Sequence, residues 1–124
     1  NPNLIINGYT EINDKKMFNS PHVPKVVFDK NEKLLFTSRS PIPSNKKRRF
    51  IKAWRQVCIY SFPYKSLKIY TSVRKKTPLE SIEDLESNRF LELGYKVKML
   101  KMSNKSVAVD TKEDLVKVKK LVKD

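Results

Sequence analysis

What the chain lacks narrows its chemistry more than what it has. A single cysteine, Cys58, rules out an internal disulfide and fits a reducing cytoplasm. A single histidine, His22, excludes a zinc site built from several imidazoles. The only glycines are Gly8 and Gly94, so no glycine-rich phosphate loop is present. No Ser/His/Asp or Cys/His set stands ready as a self-contained nucleophilic centre. No apolar run reaches membrane-span length and no signal peptide is visible. Any chemistry here therefore needs more protein than these residues, and the start at Asn1 rather than methionine points the same way.

What is present is positive charge: Lys and Arg number 27 against 13 Asp and Glu, for a formal net charge of +14 over 124 residues. Such a surplus points to anionic partners. The lysines are spread along the chain, however, and only Lys46-Lys47-Arg48-Arg49 forms a dense run. With Phe50 and Trp54 nearby for stacking, that run supports an alternative reading as a basic nucleic-acid-binding module. A hydrophobic content of 39% suffices for one core.

Periodicity predicts a mixed α/β arrangement. An apolar run from Leu4 opens a strand, and Asp14 to Phe18 suits one helical turn. Lys25-Val26-Val27-Phe28 and Lys33-Leu34-Leu35-Phe36-Thr37 flank a polar tetrad as a hairpin. Residues 53–62 read as a strand with Val57 and Ile59 on one face and Cys58 and Tyr60 on the other, and Pro63 can start a helix to about residue 73. One longer helix is predicted from the Thr77 cap to Gly94, with Leu79, Ile82, Phe90 and Leu93 on its apolar face. Glu86 and Arg89 fall on that same face, either as a semi-buried intrahelical ion pair or as a polar handle reaching a ligand pocket. Residues 95–102 and 106–109 read as strands, the second followed by Asp110, the Thr111 cap and a helix striped by Leu115, Val118 and Leu121. Asp110 thus sits at a strand's carboxyl end before a helix, where it either forms the turn or holds a divalent cation.

Five collinear motifs carry a resemblance. Phe18-Asn19-Ser20-Pro21-His22-Val23-Pro24-Lys25-Val26-Val27-Phe28-Asp29 resembles the F-x-x-P-x-x-x-K-V-V-x-D stretch of CMP-KDO synthetases, the 3-deoxy-manno-octulosonate cytidylyltransferases. Leu35-Phe36-Thr37-Ser38-Arg39-Ser40-Pro41-Ile42-Pro43 is similar to their L-Y-F-S-R-x-x-I-P, and Ile59-Tyr60-Ser61-Phe62 to their G-I-Y-x-Y/F strand. Pro78-Leu79-Glu80 through Arg89 resembles P-L-E-x-I-E-x-L-E-x-L-R, and Val109-Asp110-Thr111-x-Glu113-Asp114-Leu115 resembles V-D-T-P-E-D-L.

The resemblance implies the mixed-sheet, C-terminal part of a Rossmann-like nucleotide-diphospho-sugar transferase fold. Residues 1–124 would be its sugar-binding and dimerisation portion, without the N-terminal CTP-binding part and inactive alone. It implies a cytoplasmic, homodimeric enzyme that uses CTP and Mg²⁺ to activate a 2-keto-3-deoxy sugar acid, with no membrane or nucleic-acid partner. Position by position, Asp110 resembles the metal-binding aspartate, Arg39 the arginine near the sugar carboxylate and Glu86 the glutamate on sugar hydroxyls. Gln56, Tyr60 and Ser87 complete the expected substrate-binding set. The family's histidine and glycine in H-x-G-I-Y fall at Gln56 and Cys58, and its glutamine after the Glu86 position is Ser87, so the departures lie where the sugar is read.

Overall fold

A computed structural model describes residues 4–72, 75–103 and 112–123. In chain order they form β1 (Ile5–Glu11), α1 (Lys15–Asn19), β2 (Lys25–Phe28), β3 (Leu34–Ser38), β4 (Trp54–Ser61), α2 (Tyr64–Ser72), α3 (Pro78–Glu83), α4 (Glu86–Glu92), β5 (Val97–Lys101) and α5 (Lys112–Lys123). The mixed α/β class is as expected. The strands lie in one sheet in the order β3-β2-β4-β1-β5. Only β1 and β5 run parallel; the other neighbours are antiparallel.

Local chemistry explains several elements. Asp14 caps α1 by accepting the Met17 N–H at 2.6 Å. Asp29 shapes the hairpin between β2 and β3, its Oδ1 accepting the N–H groups of Asn31 and Lys33, both at 2.9 Å. The tip of that hairpin reaches the opposite edge of the sheet, where the Met99 N–H donates to the Glu32 carbonyl at 2.7 Å. Curling in this way, the sheet encloses Ile5, Tyr9, Val26, Leu34, Val97 and Met99, and Phe90 of α4 closes the cluster.

Two expectations fail, each for a local reason. In β4 the alternation breaks at a bulge: Asn7 pairs with Tyr60 while Gly8 pairs with Val57, which leaves Cys58 and Ile59 as extra residues. Val57 is buried, but Ile59 is 55% exposed, so the two do not share a face. The single helix over 77–94 is also wrong. Asp84 takes the left-handed conformation (φ 56°, ψ 50°) and ends α3, and α4 begins again at Glu86. A left-handed residue resets the helical phase, so positions spaced across it at 3.6 residues no longer coincide. Leu79 and Ile82 accordingly face out at 43% and 79% exposure, while Phe90 is 2% exposed. Gly94, at φ 86°, ends α4 as a glycine should.

The same reset changes the ion pair. Arg89 bonds Glu80 rather than Glu86: its Nε and Nη2 donate to the Glu80 carboxylate at 2.6 and 2.9 Å. Glu80 also accepts the Thr77 N–H at 3.3 Å, and the guanidinium lies 4.1 Å from the Tyr70 ring centroid. The bidentate bond to Glu80, the largest cause, raises the Arg89 pKa. Glu92 of α4 reaches back to α3 and accepts the Leu79 N–H at 3.0 Å, using donors that a helix start leaves open.

Candidate substrate site

Strand β4 and helix α4 bring four of the expected residues together. Gln56 is buried, and its Nε2 donates to Tyr60 Oη at 2.6 Å. Tyr60 is half-buried with Ser87 and Glu86 as neighbours. Burial, ahead of the charges of Cys58 and Glu86, pushes the Tyr60 phenol well above its ordinary pKa, so it holds its proton at neutral pH. Ser87 Oγ donates to Thr37 Oγ1 at 3.0 Å, which ties α4 to the end of β3. Glu86 starts α4, where a carboxylate suits the helix dipole, and stays exposed. Glu86 also raises the pKa of Tyr70 by charge and hydrogen bonding, behind burial as the leading cause.

The bulge serves this cluster. Two extra residues at 58 and 59 carry Tyr60 back into pairing with Asn7, and the phenol then folds toward Gln56 four positions earlier. The Tyr60 ring stacks on Phe62, with centroids 5.2 Å apart. The result is a cluster of neutral hydroxyls and an amide beside one exposed carboxylate, suited to hydrogen-bonding a polyhydroxylated ligand.

Arg39 stands at a second position, just beyond β3. Its Nε donates to the Glu83 carbonyl at 2.5 Å, Nη1 to Pro21 O at 2.9 Å and Nη2 to Asp84 O at 3.3 Å. Of the five N–H donors on a guanidinium, these contacts use three and leave two for an anionic group. Among the described residues no hydrogen bond joins Arg39 directly to Gln56, Tyr60, Glu86 or Ser87. Strand β3 links the two positions, Thr37 meeting Ser87 while Ser38 Oγ donates to Glu83 at 2.7 Å. Asp110, the expected metal ligand, lies outside the described residues, as do the strand 106–109 and the Thr111 cap. Among the described residues no group of three or more His, Cys, Asp or Glu gathers to hold a metal ion.

Sequence reasoning missed the supports. Lys25 is wholly buried, with Nζ donating to Ser20 O at 2.5 Å and to Arg39 O at 2.8 Å. Burial, aided by the charge of Arg39 and opposed by Glu83, lowers its pKa to about 8. Asn88 brackets β3, donating from Nδ2 to Thr37 O at 3.0 Å. Asn7 sits wholly buried against Gln56. An asparagine inside the apolar run of β1 was the one visible signal for it.

The alternative aromatic platform is not available. Phe50 stacks on Phe18 at 5.0 Å and Trp54 packs on Phe28 at 4.9 Å, so both rings serve the core. The basic run instead follows Asn45, whose Oδ1 accepts the N–H groups of Lys47 and Arg49 at 3.1 and 3.0 Å. Among the described residues no helix is long and apolar enough to cross a membrane.

Comparison with known proteins fits this arrangement. The family model for cytidylyltransferases matches residues 6–117. A 3-deoxy-manno-octulosonate cytidylyltransferase of Fusobacterium nucleatum subsp. nucleatum is 38% identical over 111 residues, covering 90% of this chain and 45% of the relative. An 8-amino-3,8-dideoxy-manno-octulosonate cytidylyltransferase of Shewanella halifaxensis is 35% identical over 108 residues, covering 85% of this chain and 42% of the relative. A solved structure of CMP:2-keto-3-deoxy-manno-octonic acid synthetase complexed with CTP superimposes with a TM-score of 0.82 at 26% identity, over 96% of this chain and 48% of that one. The chain thus spans a little under half the length of the relatives it matches. With the family match running almost from end to end and the fold shared, the chain belongs to the cytidylyltransferase family.

Proposed function

We propose that this chain is the sugar-reading part of an enzyme that joins CTP to a 2-keto-3-deoxy sugar acid, giving a CMP-sugar and pyrophosphate. The observation that carries the reading is the convergence of Gln56, Tyr60, Glu86 and Ser87 from β4 and α4. In the proposed reaction the sugar's anomeric hydroxyl attacks the α-phosphorus of CTP and loses its proton. A new C–O–P bond forms, the α–β phosphoanhydride breaks, and pyrophosphate leaves. Glu86 and the neutral donors bind the sugar's hydroxyls, and Arg39 offers its two remaining N–H groups to the carboxylate. The rest of the relatives' length supplies the CTP phosphates' contacts, so these 124 residues alone are expected to be inactive. The Gln56, Cys58 and Ser87 departures favour an acid related to KDO over KDO itself, because a site built around particular hydroxyls rejects analogues that leave its groups unpaired.

The proposal extends to a cytoplasmic homodimer serving bacterial lipopolysaccharide or other surface polysaccharide, and to Mg²⁺ held in part by Asp110. Asp110→Asn in the full-length protein should leave the melting temperature unchanged and cut turnover by orders of magnitude, with excess Mg²⁺ restoring only part. Near-normal turnover would reduce Asp110 to a turn former.

The test of function is pyrophosphate release by the full-length protein, offered CTP with a panel of 2-keto-3-deoxy acids. Release that needs both substrates supports the proposal, and a clear preference for KDO over every analogue would refute the reading of the departures. No release with any acid, together with RNA binding that weakens steeply with salt, would favour the basic nucleic-acid module instead.

A further inference from the structure

A chain of hydrogen bonds starting in the backbone decides which way the Tyr60 hydroxyl points. Asn7 Nδ2 donates to the carbonyl oxygens of Val57 at 3.2 Å and Ile59 at 3.1 Å, the two carbonyls that the β4 bulge turns toward it. A carbonyl oxygen accepts and never donates, so the backbone fixes the orientation of this buried amide. Asn7 Oδ1 must then face Gln56, whose Nε2 donates to it at 3.1 Å. The other Nε2 hydrogen goes to Tyr60 Oη at 2.6 Å. All four amide hydrogens are accounted for, and each orientation dictates the next.

Tyr60 Oη therefore receives a hydrogen bond on its inner side, and its own proton is directed away from Gln56. Ser87 lies within hydrogen-bonding reach of the phenol, and the exposed carboxylate of Glu86 is near enough to act on it by charge. We infer that Asn7 is a positioning residue that makes the Tyr60 hydroxyl an obligate donor, aimed at an acceptor oxygen of the acidic sugar. This rests on the functional reading above and deepens it: the site discriminates by demanding an acceptor where Tyr60 points. Were the Gln56 amide reversed, its carbonyl would draw the phenol's proton inward and the site would present a lone pair instead. Buried amides of this kind keep one orientation because the alternative leaves polar groups unpaired, at about 1–3 kcal/mol each.

The experiment uses the full-length protein and four variants, with steady-state constants for the sugar acid and for CTP, and thermal melts alongside. Tyr60→Phe and Asn7→Leu are each expected to lower kcat/KM for the sugar acid about tenfold to a hundredfold, chiefly through KM, with the KM for CTP within about twofold of the parent. The double variant should be scarcely worse than either single one, because both remove the same donor. Gln56→Glu, which keeps the shape but turns an N–H donor into an acceptor, should match the loss of Tyr60→Phe with a lower melting temperature, and Tyr60→Phe, which removes only a hydroxyl, covers the case in which a buried variant fails to fold. Effects of Asn7→Leu and Tyr60→Phe that multiply, or a Gln56→Glu enzyme with an unchanged sugar KM, would overturn the inference and leave the function standing. Parent protein that makes no CMP-sugar at all would sink both.

Discussion

Glu80 and Arg89, between α3 and α4, close on each other, whereas Asn7, Gln56 and Tyr60, between β1 and β4, hand their hydrogen bonds along toward an exposed carboxylate. In the first cluster a charge meets its opposite through two bonds and an aromatic face. In the second, neutral groups are ordered so that one donor remains at the end. Burial alone would not separate them, since Glu80 is 1% exposed and Asn7 0%. Direction separates them. A buried polar cluster that ends in itself holds two helices together, and one that ends in a half-buried hydroxyl beside an exposed carboxylate prepares a site.

The comparison breaks most easily at Arg89. Arg89→Met strands a buried carboxylate and should cost about 3–5 kcal/mol in denaturant unfolding of the full-length protein. Adding Glu80→Leu should return most of that loss, because a buried pair replaced as a unit by apolar groups is often tolerated. A single variant that costs less than about 1 kcal/mol would show that the pair is not closed. The second cluster should behave oppositely: Tyr60→Phe removes one hydroxyl at the edge and should cost no more than about 1 kcal/mol of stability, however large its effect on the sugar KM.

Lys25 sharpens the contrast through pH. Its pKa falls from 10.5 unfolded to about 8 folded, so the unfolded chain binds more protons between these values. Stability contributed at this position should therefore rise as the pH climbs from 8 to 10.5, and be at its lowest and level below 8. Melting curves across that range should show a rise that Lys25→Met lacks; parallel curves would mean that Nζ keeps its proton throughout. The smallest effect is expected at Asp84. Glycine takes its left-handed backbone without strain, and the Lys76–Asp84 ion pair that is lost is exposed and screened by solvent. Asp84→Gly should thus melt within a few degrees of the parent, while Asp84→Val should lose clearly more; equal melting of the two would deny the break between α3 and α4.

The parts of the fold governed by neighbours along the chain were legible. Asp14 before a helical turn, Asp29 at a hairpin and Gly94 after a helix each state a local bond or a backbone angle that the residue type favours. What failed depends on distant pairing. Nothing near Cys58 marks the bulge, because the carbonyls it turns aside are met by Asn7, some fifty residues earlier. Nothing in 77–94 forbids one long helix, since Asp84 adopts its left-handed conformation only where α4 packs back on α3 through Glu80, Arg89 and Glu92. The site divides in the same way. Gln56, Tyr60, Glu86 and Ser87 were reached through motif resemblance, and the structure brings them together. Lys25, Asn7 and Asn88 act on other residues rather than presenting chemistry of their own, and no spacing rule points to them.

On the proposed function, this chain reads the sugar and not the nucleotide. Glu86 tests it most directly, being exposed at the start of α4, where its loss should not disturb the fold. Kinetics of full-length Glu86→Gln should be measured against both substrates, each varied at saturation of the other. A rise of about tenfold or more in the KM for the sugar acid, with the KM for CTP unchanged, is the predicted result. A raised KM for CTP with an unchanged sugar KM would contradict it.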